Sequence, residues 1–310
     1  MSEKLILGSR GSELALAQAR LVAAALQERW SELKIETRII RTSGDEGAAP
    51  LLPDDVRAGR KGLFTSEIEG VLLAGGIDLA VHSAKDLPSD LNPATQIAAV
   101  LPRTCVDDVL ISPAPCNLEA LPVNGIVATG SVRRRHQLRW KRPDLEIVDL
   151  RGNVPTRLRK LVRSDWDGVV LACAGLERLG LKTENGGVVF ENTQFAMHLL
   201  DREIFLPAGG QGVIAMQIRA DDARARSLVE SSNDLGTGLC LRAEREFLRL
   251  LHGDCNQPVG VLGSVEGAMM KIRAQVFDLA ATTPREATVE GPSEEAEALA
   301  SKLFAMINGH

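Results

Sequence analysis

Along this chain, short apolar runs stop at small or charged residues and give way at once to a helical pattern. That alternation constrains the fold most, because strands separated by helices build a parallel, helix-flanked sheet. Leu5–Gly8 reads as the first strand. Ser12 or Glu13 then leads into a helix reaching about Trp30, with Leu14, Leu21, Val22, Ala25 and Leu26 on one stripe. Ile35–Arg41 reads as a second strand, residues 44–60 as a mobile loop, and Phe64–Ala74 as a helix ended by Gly75-Gly76. Leu79, Ala80 and Val81 form a further short buried strand that Pro88 prevents from continuing.

A stretch containing Pro102, Pro113, Pro115 and Pro122 separates this unit from a second, with strands at Gly125–Ala128, Glu146–Leu150 and Gly168–Cys173. Phe205–Gly212 punctuates its end, and the apolar run Val213–Ile218 is placed to return to the first sheet. After about Ser231 come a helix over roughly Thr237–Leu251, strands at Val259–Val265 and Met270–Phe277, and a final helix from Ser293. The length of 310 residues suits two or three such cores.

Composition narrows the function. No apolar run approaches the roughly 20 residues that span a bilayer, and the first ten residues hold no long apolar segment. Neither a membrane span nor a signal peptide is expected, and a cytoplasmic location follows. The five cysteines form no Cys-x-x-Cys and the five histidines no His-x-x-x-His, so neither a disulfide framework nor a metal is expected. Net charge is −5, yet residues 133–163 carry nine Arg and two Lys against Asp144, Glu146 and Asp149, a local excess of +8. A basic island in an acidic chain points to a local anionic ligand. With only 3% aromatic residues, nucleic-acid binding is not expected.

The charged residues at the strand ends carry the chemistry. Lys85 and Asp86 stand at the carboxyl end of the Leu79–Val81 strand, where ligands bind in open α/β sheets. A surface salt bridge is the commoner fate of an arbitrary Lys-Asp pair; the other segments reverse that preference. Thr129-Gly130-Ser131 follows a strand, Ser131 is a good N-cap, and Arg133 and Arg134 add cations at the same helix start. Arg151-Gly152-Asn153-Val154-Pro155-Thr156-Arg157 repeats this design, with Arg178 after the next strand as a third contributor. Arg10 and Ser12 occupy a turn of the same type, and Lys61 lies beside the helix start at Phe64. Several cationic turns suggest a ligand with several carboxylates. Cys255 sits in a turn after a helix C-terminus beside Asp254, which disfavours its thiolate. On this physics an inert cysteine is the better reading, although a strongly electrophilic partner could still attach there.

Eight segments, taken in order, resemble the hydroxymethylbilane synthase (porphobilinogen deaminase) family. They are Gly8–Leu16, Gly59–Phe64, Val81–Pro88, Gly130–Arg134, Leu150–Arg157, Ala174–Gly180, Leu206–Gly212 and the cysteine turn Gly253–Gly260. The resemblance implies an α/β fold of two periplasmic-binding-protein-like lobes with mainly parallel, helix-flanked sheets. A small C-terminal α+β domain with an open-faced antiparallel sheet completes it. The expected division is 1–102 with 213–230, then 106–206, then 232–310. It also implies head-to-tail condensation of four porphobilinogen molecules on a dipyrromethane primer, release of ammonia, and final hydrolysis to hydroxymethylbilane. The primer would be held by a thioether to Cys255; loss of ammonia from the substrate leaves an electrophile, so that thiol need not be acidic. Asp86 would be the catalytic carboxylate facing pyrrole N–H groups.

The resemblance implies that cofactor and substrate are bound by Arg10, Ser12, Ser83, Lys85, Thr129, Ser131, Arg133, Arg134, Arg151, Arg157, Arg178 and Gln211, with Lys61 and Phe64 in an active-site loop. A monomer is expected by family analogy. The chain departs from the family's usual pattern at Asp254, where a glycine usually precedes the cysteine, at Gln217, where glutamate is frequent, and in having no tyrosine. A two-lobed receptor for a small acidic ligand is the rival reading. Such receptors usually carry an export signal or a DNA-binding helical domain, and neither is read here.

Overall fold

The computed structural model describes residues 4–41, 65–181, 186–251, 258–278 and 282–309. The first elements are β1 (Lys4–Ser9), α1 (Glu13–Arg29), β2 (Lys34–Ile39), α2 (Ser66–Leu73), β3 (Leu79–Ser83) and β4 (Thr95–Val100). The next group is β5 (Asp108–Ser112), β6 (Ile126–Ala128), α3 (Val132–Lys141), β7 (Glu146–Val148), α4 (Val154–Arg163), β8 (Gly168–Ala172), α5 (Cys173–Arg178), β9 (Val188–Phe190) and β10 (Thr193–Leu199). The chain ends with β11 (Ile214–Arg219), α6 (Ala223–Glu230), α7 (Leu235–Leu250), β12 (Val259–Glu266), β13 (Met269–Val276), β14 (Arg285–Pro292) and α8 (Ala296–Asn308).

Local chemistry sets these boundaries. Leu5 and Leu7 are fully buried on β1, and Ser12 caps α1 by accepting from the Ala15 N–H at 3.3 Å. Val22 and Leu26 press that helix onto the sheet, each burial stabilising by about 1.5 to 3 kcal/mol. Asn153 caps α4 from Thr156 N–H at 2.9 Å, with Pro155 in the first turn where its missing N–H is harmless. The last helix begins at Ala296 rather than Ser293, because Ser293–Glu295 form a separate 3-10 turn.

The first sheet has the order β2-β1-β3-β11-β4, and the second β7-β6-β8-β5-β10-β9. Both are mixed. β1 runs parallel to β2 and β3, and β6 parallel to β7 and β8; β1, β6, β7 and β8 each lead into a helix. The expectation of mainly parallel sheets misses the strands that return without one: β11 pairs antiparallel with β3 and β4, and β5 with β8 and β10. β5 lies inside the proline-bearing stretch that reads as a separator. Val213–Ile218 does return to the first sheet, as β11. The third sheet, β12-β13-β14, is antiparallel and packs one face against α7 and α8.

Two segments cross between the first two sheets, residues 101–107 and 206–213, and they run side by side. Leu101 N–H donates to Ile214 O at 3.2 Å, Thr104 N–H to Gly212 O at 3.2 Å, and Arg103 Nε to Gln211 O at 2.9 Å. The fully buried Glu244 of α7 binds this junction to the third sheet. Its carboxylate accepts from Arg103 Nη1 at 2.5 Å, Gly210 N–H at 2.7 Å and Gly263 N–H at 2.8 Å. Removing one partner of a buried pair strands the other charge. Glu244→Ala is therefore expected to lower unfolding free energy by about 3 to 5 kcal/mol in urea titrations. Glu297→Ala, which removes the exposed partner of Arg242, should change it by less than about 1 kcal/mol.

Candidate active site

The cationic turns all lie at the carboxyl ends of parallel strands in the two lobes. Arg10 and Ser12 follow β1, Ser83 closes β3, Thr129 and Ser131 follow β6, Arg151 and Arg157 follow β7, and Arg178 ends the helix after β8. The lobes meet near these ends: a Cβ on Gly175 of α5 would lie 3.8 Å from Leu14 of α1. The Thr129–Ser131 turn also abuts the arginine turn after β7, since a Cβ on Gly130 would fall 2.4 Å from Leu150 O.

Residues 84–86 form a tight 3-10 turn directly after β3, with Ala84 and Leu87 buried and Lys85 and Asp86 half-buried. The second crossover packs onto this turn. Gly210 has φ +76° and a Cβ there would lie 2.9 Å from Lys85 N, so the position requires glycine. Lys85 does not pair with Asp86. Its Nζ donates to Gln211 Oε1 at 3.3 Å, and Gln211 Nε2 donates to Asp108 Oδ1 at 2.8 Å and to Val106 O at 2.7 Å. Asp86 makes no hydrogen bond or ion pair with the other described residues.

Asp108, at the start of β5, is fully buried and organises the arginines of α3. Arg134 Nη2 donates to its Oδ1 at 2.6 Å while Nη1 donates to Val170 O at 2.9 Å. Arg133 Nη1 lies 2.7 Å from Oδ2 but is directed at Gln137 Oε1 and Leu206 O, both at 2.9 Å. Asp108 Oδ2 and the Nε atoms of both arginines are buried without a hydrogen-bond partner among the described residues. Burial alone would raise the Asp108 carboxyl; Arg133 and Arg134 outweigh it and hold the group well below the usual carboxylate range. The Lys85 amine is pushed down to about 8, first by burial and then by repulsion from Arg134, against the pull of Asp86 and Asp108. Burial also lowers Arg178 to about 10, with Glu177 opposing.

The remaining residues fall into two groups. Ser131 caps α3 by accepting from Arg134 N–H at 3.4 Å, Thr129 Oγ1 accepts from Ser131 N–H at 3.3 Å, and Ser83 exchanges hydrogen bonds with Gln18. These hydroxyls shape the turns. Arg151 is exposed and pairs with Asp149 at 2.8 Å, Arg157 Nε donates to Gly152 O at 2.7 Å, and Arg178 Nη2 donates to Gly212 O at 2.6 Å. Arg10 adds positive potential beside His82, which burial first and Arg10 second hold down to about 4, with Gln217 opposing. Lys61, Phe64, Asp254 and Cys255 lie outside the described residues. Sequence reasoning missed Asp108, Arg103 and Glu244. An acid directly preceding the apolar run Val109–Ile111 was the available signal for the first.

Fold and site together define a two-lobed α/β protein in which cationic turns gather at the strand ends of both lobes. Residues 5–227 match the family described as porphobilinogen deaminase, dipyromethane cofactor binding domain, and residues 238–309 match the porphobilinogen deaminase C-terminal domain. The porphobilinogen deaminase of Syntrophomonas wolfei is 44% identical over 275 residues, covering 89% of this chain and 85% of that protein. That of Moorella thermoacetica is 43% identical over 302 residues, covering 96% and 92%. A solved structure of the Bordetella pertussis BvgS VFT2 domain aligns with 74% of this chain and 85% of that one at TM-score 0.42 and 15% identity, too slight a likeness to bear on function. The chain belongs to the porphobilinogen deaminase family. It is thus a transferase of tetrapyrrole biosynthesis with a dipyrromethane cofactor.

The lowered Lys85 value has a stability consequence. Between about pH 8 and the ordinary lysine value of 10.5, the folded protein releases this proton before the unfolded chain does. Stability contributed by the group therefore rises with pH across that window, and the penalty of the buried charge is fully present below it. In protein free of bound ligand, the unfolding free energy of wild type relative to Lys85→Met should rise by on the order of 2 kcal/mol between pH 7.5 and 10. A pH-independent difference in urea titrations would contradict this.

Proposed function

We propose that the cleft between the two lobes carries the hydroxymethylbilane synthase reaction, with Asp86 as its reacting carboxylate and Cys255 as the attachment point of the dipyrromethane. The observation that carries this reading is the separation of Lys85 from Asp86. Lys85 is committed to Gln211, so Asp86 remains a half-buried carboxylate at a strand end, next to Lys85 yet with no hydrogen-bond or ion-pair partner among the described residues.

The donors present suit a polycarboxylate. Lys85, Arg133 and Arg134 carry three positive charges against the two carboxylates Asp86 and Asp108, and acetate and propionate groups can pair with cations of this kind. The buried, partnerless Nε atoms of Arg133 and Arg134 show that their bonding capacity is not exhausted within the described residues. In this proposal Ser83, Lys85, Thr129, Ser131, Arg133 and Arg134 hold the cofactor's carboxylates. Arg10, Ser12, Arg151, Arg157, Arg178 and Gln211 position the incoming substrate, porphobilinogen, and the lengthening product. When bound, the dipyrromethane supplies the pyrrole terminus that primes chain growth. Asp86 then has two tasks for which its setting is suited. Its fixed negative charge stabilises positive charge developing on pyrrole nitrogens, and its carboxylate is placed to move a proton there.

Each of the three sheets falls within one of the proposed domains, 1–102 with 213–230, 106–206 and 232–310, and the two crossovers lie at their junctions. Among the described residues, no helix is long and apolar enough to cross a membrane. The proposal takes the enzyme as a cytoplasmic monomer, in which Lys61 and Phe64 belong to an active-site loop.

Two variants test the assignment. Cys255→Ala should have the mass of the bare polypeptide, whereas the wild type carries a covalent two-pyrrole adduct. A wild-type mass without adduct and with full activity would remove Cys255 from the scheme. Asp86→Asn should fold and carry the adduct but lose about 10²- to 10⁴-fold in turnover. Wild-type turnover in that variant would show that another group handles the charge.

A further inference from the structure

Cys105 and Cys173 are far apart in sequence, and nothing in their spacing suggests a shared site. The fold joins them. Cys105 lies in the first crossover, Cys173 opens α5, and the two segments are held together by the Cys173 N–H donating to Asp107 O at 3.0 Å. One helical turn beyond Cys173, Glu177 completes a group of three in which both sulfurs and a carboxylate oxygen lie within 4.8 Å of one another. Cys173 is buried, while Cys105 and Glu177 are each partly exposed.

We propose that Cys105, Cys173 and Glu177 bind a single thiophilic divalent cation of the zinc class. A tetrahedral zinc with Zn–S of about 2.3 Å and Zn–O of about 2.0 Å places sulfurs about 3.8 Å apart and sulfur and oxygen about 3.5 Å apart. The observed Cys173 Sγ to Glu177 Oε1 distance is 3.5 Å, and the whole triad fits within a small adjustment of Cys105. Two sulfurs select a soft or borderline ion over magnesium or calcium. The second Glu177 oxygen is oriented from outside the triad, since Thr104 Oγ1 donates to Oε2 at 2.7 Å and leaves Oε1 facing the sulfurs. Asp107 Oδ2 lies 3.5 Å from Cys105 Sγ, but both its oxygens are taken by Arg202 at 2.7 and 2.9 Å. The fourth position therefore falls to water, reached from the exposed side of Cys105 and Glu177. Binding forms two metal–sulfur bonds and releases the two thiol protons to solvent.

The location gives the site a mechanical consequence. A metal here fastens the first crossover to the second lobe. It does so one residue from Arg178, whose guanidinium holds the second crossover through Gly212 O. Such an ion would stiffen the junction about which the lobes are connected.

The test uses the full-length holoenzyme, thiol-reduced and stripped with a chelator, titrated with Co²⁺ as the probe. The expected result is a thiolate-to-cobalt charge-transfer absorption that saturates at one equivalent and is abolished by added Zn²⁺. Cys105→Ser, a change at a partly exposed position, should lose at least half of that absorption, and Glu177→Gln should weaken Co²⁺ binding by roughly tenfold or more. Far-UV circular dichroism on each variant confirms that it is folded. Absence of the charge-transfer band in wild type overturns the proposal. So does full retention of the band in folded Cys105→Ser, which would place the metal on other thiols.

Discussion

A single buried carboxylate, that of Glu244, holds the architecture together. Its two oxygens receive Arg103 from the first crossover, Gly210 from the second and Gly263 from the C-terminal sheet. Two lobes connected by a pair of extended segments have few local contacts to define their relation. Long-range hydrogen bonds must supply the definition, and an ion pair whose carboxylate is fully buried does so with strong directional preference. Its net contribution to stability is modest, because desolvating both charges offsets most of their attraction. Its value lies in specifying one arrangement: a displaced crossover would leave Arg103 or Glu244 buried without a partner.

The turn that holds Asp86 depends on that arrangement through Gly210. The same glycine whose N–H binds Glu244 packs its α-carbon against the Lys85 backbone, so the crossover carries position from the C-terminal unit to the turn holding Asp86. Gln211, the next residue, then divides its amide between Lys85 and Asp108. Lys85 of the first lobe and Arg133 of the second thus both contact the second crossover. A change in the relation of the lobes must alter the Lys85–Gln211–Asp108 chain, which connects β3 of the first lobe to β5 of the second.

Much of this was legible from residue pattern. Ser12 and Ser131 cap helices where the sequence places helix starts, Pro155 stands in the first turn of α4, and the arginine turns do fall at strand ends, because caps and strand termini are set by local chemistry. The antiparallel strands β5 and β10 were not legible. β5 is five residues long and flanked by prolines, and its pairing is decided by strands some sixty to ninety positions away. Arg133 and Arg134 read as open ligand sites because nothing nearby in sequence neutralises them; their partner Asp108 is a neighbour only in three dimensions. Glu244 sits among Arg242 and Arg245 on α7, a pattern that reads as a solvated helix face until Arg103 arrives from the crossover. The role of Cys255 came from family resemblance alone, since the local electrostatics favour an inert thiol.

Asp86 and Asp108 show how one residue type serves opposite ends in one site. Asp108 is fully buried against two arginines, and its charge is consumed in holding them: it fixes their rotamers and offsets part of the repulsion between two adjacent guanidiniums. That arrangement fixes both guanidiniums through contacts internal to the protein. Had Asp86 been the partner of Lys85 or of an arginine, its charge would have been spent in the same way. Because Gln211, a neutral amide, accepts from Lys85 instead, Asp86 has no hydrogen-bond or ion-pair partner among the described residues. The neutral side chain in the middle of the network is what leaves a carboxylate available among so many cations.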